Sequence, residues 1–137
     1  MIRARLVLAI AACLCLVGRW AAAQGATNLP MSKTCSFQSS GFVERGGVPP
    51  APDAITMDND GGWCGHLNVS VAGHSFAFGA PMHLVRRPAH GQVAIGVRHD
   101  GTQIMYKPDA GFTGSDSFSV MNETLNMVMP YNVVVTQ

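Results

Sequence analysis

Charged residues are scarce in this chain, and it has no basic cluster. Only 12% of the 137 residues are charged, and Arg86-Arg87 is the longest basic run. Nucleic-acid binding needs a clustered positive surface, so the composition argues against a DNA- or RNA-binding function. The sequence also lacks sustained helical periodicity, a repeat of about 20–50 residues and the Gly-x-Ser-x-Gly motif of hydrolases.

The longest apolar run, residues 6–18, is too short to cross a membrane as a helix. It has 13 residues, whereas a spanning helix needs about 20. Arg3 and Arg5 precede the run and Ala21-Ala22-Ala23 follows it, which is typical of a signal peptide cleaved after the third alanine. We therefore expect residues 1–23 to be removed, the protein to be periplasmic or extracellular, and no transmembrane segment to remain.

A second processing route is open at Cys13. Ile10-Ala11-Ala12-Cys13 is similar to a bacterial lipoprotein box, in which the cysteine is lipidated and becomes the new N-terminus. Few apolar residues precede Cys13, and more follow it. Lipoprotein anchoring is therefore the weaker alternative.

Cys35 and Cys64 remain after the signal peptide. Two cysteines in an exported chain most simply form one disulfide, and two free thiols are the alternative. The pair lacks CxxC spacing, which argues against a metal site.

Residues 24–53 are predicted to be an N-terminal arm, and residues 54–137 to be one β-domain. The arm contains Gly46-Gly47-Val48-Pro49-Pro50-Ala51-Pro52, which suits neither a helix nor a central strand because proline lacks an N–H donor. Around Cys35 to Val43 the arm can add an edge strand.

From residue 54 onward, short alternating runs are separated by turn signals. Val93, Ile95 and Val97 show the period of two most clearly. About seven short strands with frequent turns indicate an all-β sandwich or barrel. The predicted strands lie at residues 54–57, 67–71 continuing at 76–78, 82–85, 93–97, 104–106, 118–120 and 131–136, with residues 121–130 as a connection between the last two.

One segment carries a family resemblance: Tyr106-Lys-Pro-Asp-Ala-Gly-Phe-Thr-Gly-Ser-Asp-Ser-Phe118. Together with Pro88-Ala-His-Gly-Gln-Val93, it resembles bacterial Ig-like (cadherin-like) domains. The match is specific over residues 88–118 and looser over 64–137. It implies an Ig-like antiparallel β-sandwich in an exported binding or structural module. Such domains usually occur in tandem arrays, so adhesion through a long stalk does not carry over to this single copy.

We expect this corner segment to be structural. Phe112 and Phe118 are predicted to face the core, with Tyr106 covering it from a neighbouring strand. The glycines are predicted to adopt backbone angles closed to other residues, and the aspartate to accept N–H bonds in the turn. The predicted structural residues are Tyr106, Pro108, Gly111, Phe112, Gly114, Asp116 and Phe118.

Methionine and histidine offer an alternative function in copper binding. Thioether and imidazole ligands suit copper, Met82-His83 are adjacent, and Met127 and Met129 lie on one face of an extended segment. The remaining spacing is scattered, and methionine commonly fills gaps in a core. A periplasmic copper protein is therefore the alternative to a binding module.

No residue is assigned to catalysis, a cofactor or a metal. Asp58-Asn59-Asp60-Gly61 offers oxygen ligands but lacks the later glutamate of an EF-hand, so a solvated turn is favoured over a calcium loop. Cys64 would need a free thiolate to act as a nucleophile. We expect a non-enzymatic protein without a cofactor, whose partner is another envelope or surface protein or a glycan.

Overall fold

Eight β-strands make up the fold in the computed structural model, which describes residues 28–40, 50–68, 81–98 and 100–137. The predicted signal peptide and the predicted strand at 76–78 lie outside the described residues. The strands are β1 (Cys35–Gln38), β2 (Asp53–Asp58), β3 (Cys64–Asn68), β4 (Met82–Arg86), β5 (Gly91–Arg98), β6 (Gly101–Pro108), β7 (Gly114–Asn122) and β8 (Met127–Thr136).

The strands form two sheets, which confirms the predicted all-β sandwich. One sheet has five strands in the order β1-β2-β8-β7-β4, and the other has three in the order β3-β6-β5. Neighbouring strands are antiparallel except β2 and β8, which run parallel with Ile55 opposite Val133. The sandwich is therefore mixed at this one pair, where the prediction was purely antiparallel.

The core lies between the two sheets. Its side chains come from alternate positions along the strands. Along β8, Met129, Tyr131, Val133 and Val135 are buried while Val134 between them is exposed. Successive side chains of a strand point to opposite faces, so this alternation places one row against the other sheet.

Stacked aromatic rings form the centre of the core. Phe118 stacks on Tyr131 with ring centroids 4.6 Å apart and on Tyr106 at 6.0 Å. All three side chains are fully buried. Tyr106 belongs to the three-stranded sheet and the other two to the five-stranded sheet, so the stack joins the two layers.

A disulfide between Cys35 and Cys64 ties β1 to β3, as the cysteine count predicted. It therefore connects the edge strands of the two sheets on one side of the sandwich. β1 pairs with β2 from Cys35 opposite Met57 to Gln38 opposite Ala54. Part of residues 24–53 is thus integrated into the five-stranded sheet.

The prediction that residues 121–130 form a connection was wrong, because most of them are strand. β7 extends to Asn122, β8 begins at Met127, and only a tight turn lies between them. Asn126 closes the turn with a positive φ of 49°, which asparagine tolerates better than most residues. Pro130 fits inside β8 because the pairing of β8 with β2 begins only at Tyr131.

Candidate functional site

The carboxylate of Asp116 ties the corner segment to the β4–β5 turn. It accepts backbone N–H groups of Ala89 and His90, each at 2.9 Å, and of Ser117 at 2.7 Å. The Tyr106 hydroxyl donates to it at 3.0 Å. Burial raises the pKa of Asp116, but the donors outweigh that effect and the net pKa is lowered. Both carboxylate oxygens of Asp116 are therefore engaged in hydrogen bonds within the fold.

The other residues of the corner segment, residues 106–118, also stabilise the fold. Gly111 and Gly114 have φ values of 78° and 129°, which other residues rarely adopt. Phe112 packs on the rim of the core and stacks on the His90 ring at 4.4 Å. The Asn59 side chain donates to the carbonyls of Asp109 and Phe112 at 2.7 and 2.9 Å, a link that sequence reasoning missed.

The acidic turn considered for calcium has its oxygen atoms engaged with the protein. Asp60 accepts the backbone N–H of Lys33 at 2.8 Å and of Gly62 at 3.0 Å. Asp58 accepts the hydroxyl of Thr136. Nowhere in the described part of the chain do three or more His, Cys, Asp or Glu side chains form a group able to hold a metal ion.

A half-buried histidine, noted in the sequence only as one of five histidines that could bind copper, lies between the sheets. His66 of β3 stacks on Phe37 of β1 with centroids 3.8 Å apart and faces Tyr131 of β8 at 5.7 Å. Within the described ranges, neither Nδ1 of His66 nor the hydroxyl of Tyr131 has a hydrogen-bond partner. Burial lowers the pKa of His66 to about 4, with the Asp53 carboxylate acting in the opposite direction.

Stability should therefore fall as the pH is lowered from about 6.5 to 4. The unfolded chain binds a proton at His66 near its ordinary pKa of 6.5, whereas the folded protein keeps the ring neutral down to about 4. The unfolded state is favoured in that interval, by about 3 kcal/mol when fully developed. Urea unfolding curves recorded from pH 7 to pH 4 measure the effect.

His66→Phe should flatten this pH dependence, because phenylalanine can keep the stack without titrating. His83→Gln is the matched control, since His83 is exposed and pairs with Glu123 at 2.9 Å. The lowered pKa values of the Asp58, Asp60 and Asp116 carboxyls reduce stability mainly below about pH 5, so the slope between about pH 6.5 and 5 reports His66. An unchanged slope in His66→Phe would contradict the assignment.

An open groove of about 560 Å³ lies where β4 leaves β7. β4 pairs with β7 only from Asn122 to Ser119, so the first half of β7 borders the groove. Ser115, Ser117 and Asn132 line it together with the Ala89-His90 turn. It offers hydroxyl and amide groups, and Asp116 fixes its wall.

β5 is the longest sheet edge in the described ranges. Among the described strands it pairs only with β6, from Gly91 opposite Pro108 to Arg98 opposite Gly101. Residues 91–97 contain neither proline nor charge, and Val97 near the end of the strand is 61% exposed. An edge of this kind presents unpaired N–H and C=O groups to another chain.

The other edge strands are shorter or irregular. β1 has four residues and β3 has five, and the disulfide ties the two together. β4 has five residues and a register shift between Leu84 and Arg86. Short length and bulges protect an edge from pairing, so β5 is the edge best suited to receive a strand.

No protein-family model matches the chain, and no curated protein is significantly similar to it. Within the described ranges, no helical segment has the length and hydrophobicity required to span a bilayer.

Proposed function

We propose that the protein is an exported, non-enzymatic binding module of the bacterial envelope or cell surface, and that β5 receives an extended strand from another exported protein. The single observation that carries this proposal is the eight-residue β5 edge, which is paired only with β6 in the described ranges and is uncharged from Gly91 to Val97.

The backbone of β5 provides the affinity in this proposal. Along an antiparallel strand, alternate residues direct their N–H and C=O groups away from the existing neighbour. An added strand would satisfy those groups and extend the three-stranded sheet to four. Side chains at alternate positions would supply specificity, as in other cases of strand addition.

Two further observations support an exported role. The Cys35–Cys64 disulfide fits an oxidising compartment, and residues 1–23 have the pattern of a signal peptide. The resemblance of residues 88–118 to bacterial Ig-like domains supports the envelope or cell surface as its place of action.

Val97→Lys should reduce capture of the partner from an envelope extract by about tenfold, the effect of about 1.4 kcal/mol. The exposed side chain tolerates the change, while the charge opposes an incoming strand. Val128→Lys is the matched control, because Val128 is an exposed valine on β8 that lies outside the groove. Quantitative mass spectrometry of the captured proteins measures the difference.

Two outcomes would overturn strand addition from another protein. Binding of a glycan in the groove would be lost with Asn132→Ala and retained in Val97→Lys. Pairing between two copies through β5 would give a concentration-dependent molar mass by light scattering, and Val97→Lys would abolish it.

A further inference from the structure

Three methionines from two separate strands lie on one face of the five-stranded sheet, at one end of the core. Met82 of β4 lies opposite Asn122 of β7, and Asn122 lies opposite Met127 of β8. Residues opposite one another across strands share a face of the sheet, so Met82 and Met127 flank Asn122 on the same face. Met129 is two residues along β8 and therefore also lies on that face.

This face is the inner one. Met129 is 8% exposed and belongs to the core, while Met82 and Met127 are partly buried and pack against it. Adjacent strands are about 4.8 Å apart, which places the backbones of Met82 and Met127 about 10 Å apart. Two flexible methionine side chains that lean toward each other can span this gap.

Met82, Met127 and Met129, here called the methionine cluster, are on the whole more exposed than Met57 and Met105. Met57 and Met105 are each 1% exposed, whereas Met82 and Met127 are only partly buried next to the β7–β8 turn. The Met129 sulfur accepts a hydrogen bond from the side-chain amide of Asn68 at 3.8 Å, which leaves its second lone pair for a ligand. Met82 and Met127 therefore bring two partly exposed thioethers to this end of the sandwich.

We propose that Met82, Met127 and Met129 form a thioether site for a soft monovalent cation, Cu(I). Uncharged sulfur ligands select Cu(I) over harder ions such as Mg²⁺ or Ca²⁺. His83 lies opposite Met121 on the other face of the sheet and pairs with Glu123, so it is not among the three ligands. The site is independent of strand addition at β5.

Titration with Ag(I), a redox-inert probe of Cu(I) sites, tests the proposal in the intact protein. The methyl resonances of Met82, Met127 and Met129 in ¹³C-methionine-labelled protein should shift together and saturate at one equivalent. Those of Met57 and Met105 should not shift. Absence of binding at micromolar Ag(I), or shifts confined to exposed Met31 or to His83, would overturn the site.

Met82→Leu/Met127→Leu should weaken Ag(I) binding by at least about tenfold, because even changes outside the ligand shell of a metal site commonly cost that much. Leucine conserves volume, so the fold should be retained. Met57→Leu/Met105→Leu is the matched control and should bind Ag(I) as the unmodified protein does. Equal affinity in the two double variants would show that the three methionines only fill space.

Discussion

Phe118→Ala is expected to lower the free energy of unfolding by about 3–5 kcal/mol, because truncating a fully buried aromatic ring also leaves a cavity. Phe118 stacks on Tyr131 at 4.6 Å and on Tyr106 at 6.0 Å, so the change removes the middle ring of the stack joining the sheets. For a domain of this size the melting temperature should fall by about 10–20 °C. Thermal and urea unfolding followed by near-ultraviolet circular dichroism measures both quantities.

Phe112→Ala is the matched control and should cost clearly less. Phe112 is only partly buried and packs on the rim of the core against His90. The sequence predicted similar core positions for Phe112 and Phe118, and the structure separates them by burial. Equal losses in the two variants would contradict the central position assigned to Phe118.

Removing the disulfide with Cys35→Ala/Cys64→Ala should have the second-largest effect. The bond joins cysteines 29 residues apart, and closing such a loop in the unfolded chain contributes about 3–4 kcal/mol in the chain-entropy model. Loss of the bond also frees β1, whose Phe37 stacks on His66. Urea unfolding gives the global effect, and hydrogen exchange of the β1 amides gives the local one.

Reduction of the native protein should reproduce most of this loss, whereas a reducing agent should leave the double alanine variant unchanged. We expect β1 to lose protection before the central strands do, because it is a four-residue edge strand paired only with β2 in the described ranges. Uniform loss of protection across all strands would argue against a local role for the disulfide.

Much of the fold was predictable from local patterns. Alternation located β5, β6 and the end of β8, because a half-buried strand must show a period of two. The cysteine count predicted the disulfide, since only one pair remains after the predicted signal peptide is removed. Gly111 and Gly114 were predicted to adopt unusual backbone angles, and their φ values are 78° and 129°. Asp116 was predicted to accept N–H groups within its own turn; it lies in β7 and accepts those of Ala89 and His90 from the β4–β5 turn.

The features that could not be predicted from the sequence depend on how strands distant in the chain are paired. Met82 and Met127 are 45 positions apart in the chain, and only the pairing of β4, β7 and β8 brings them to one face. The contacts of His66 with β1 and β8 come from the tertiary structure, so nothing in its local sequence distinguishes it from other histidines. The position of β5 at the edge of the described three-stranded sheet likewise depends on strand order, which alternation does not encode.

The groove and the methionine cluster lie near opposite ends of strand β7. The groove borders Ser115 and Ser117 near the start of β7, and the cluster flanks Asn122 at its end. Variants at one site should therefore leave the other unaffected, since distant sites without shared partners behave additively. This separation allows strand binding, glycan binding and metal binding to be tested independently.

Hydrogen exchange of the protein, free and bound to its captured partner, tests the central claim most directly. If β5 receives a strand, amides of residues 91–97 that point away from β6 should become protected on binding, because they gain hydrogen-bond partners. The groove and the methionine cluster should change little. Protection at Ser115–Ser117 or around the β7–β8 turn, with the β5 amides unchanged, would contradict binding through the β5 edge.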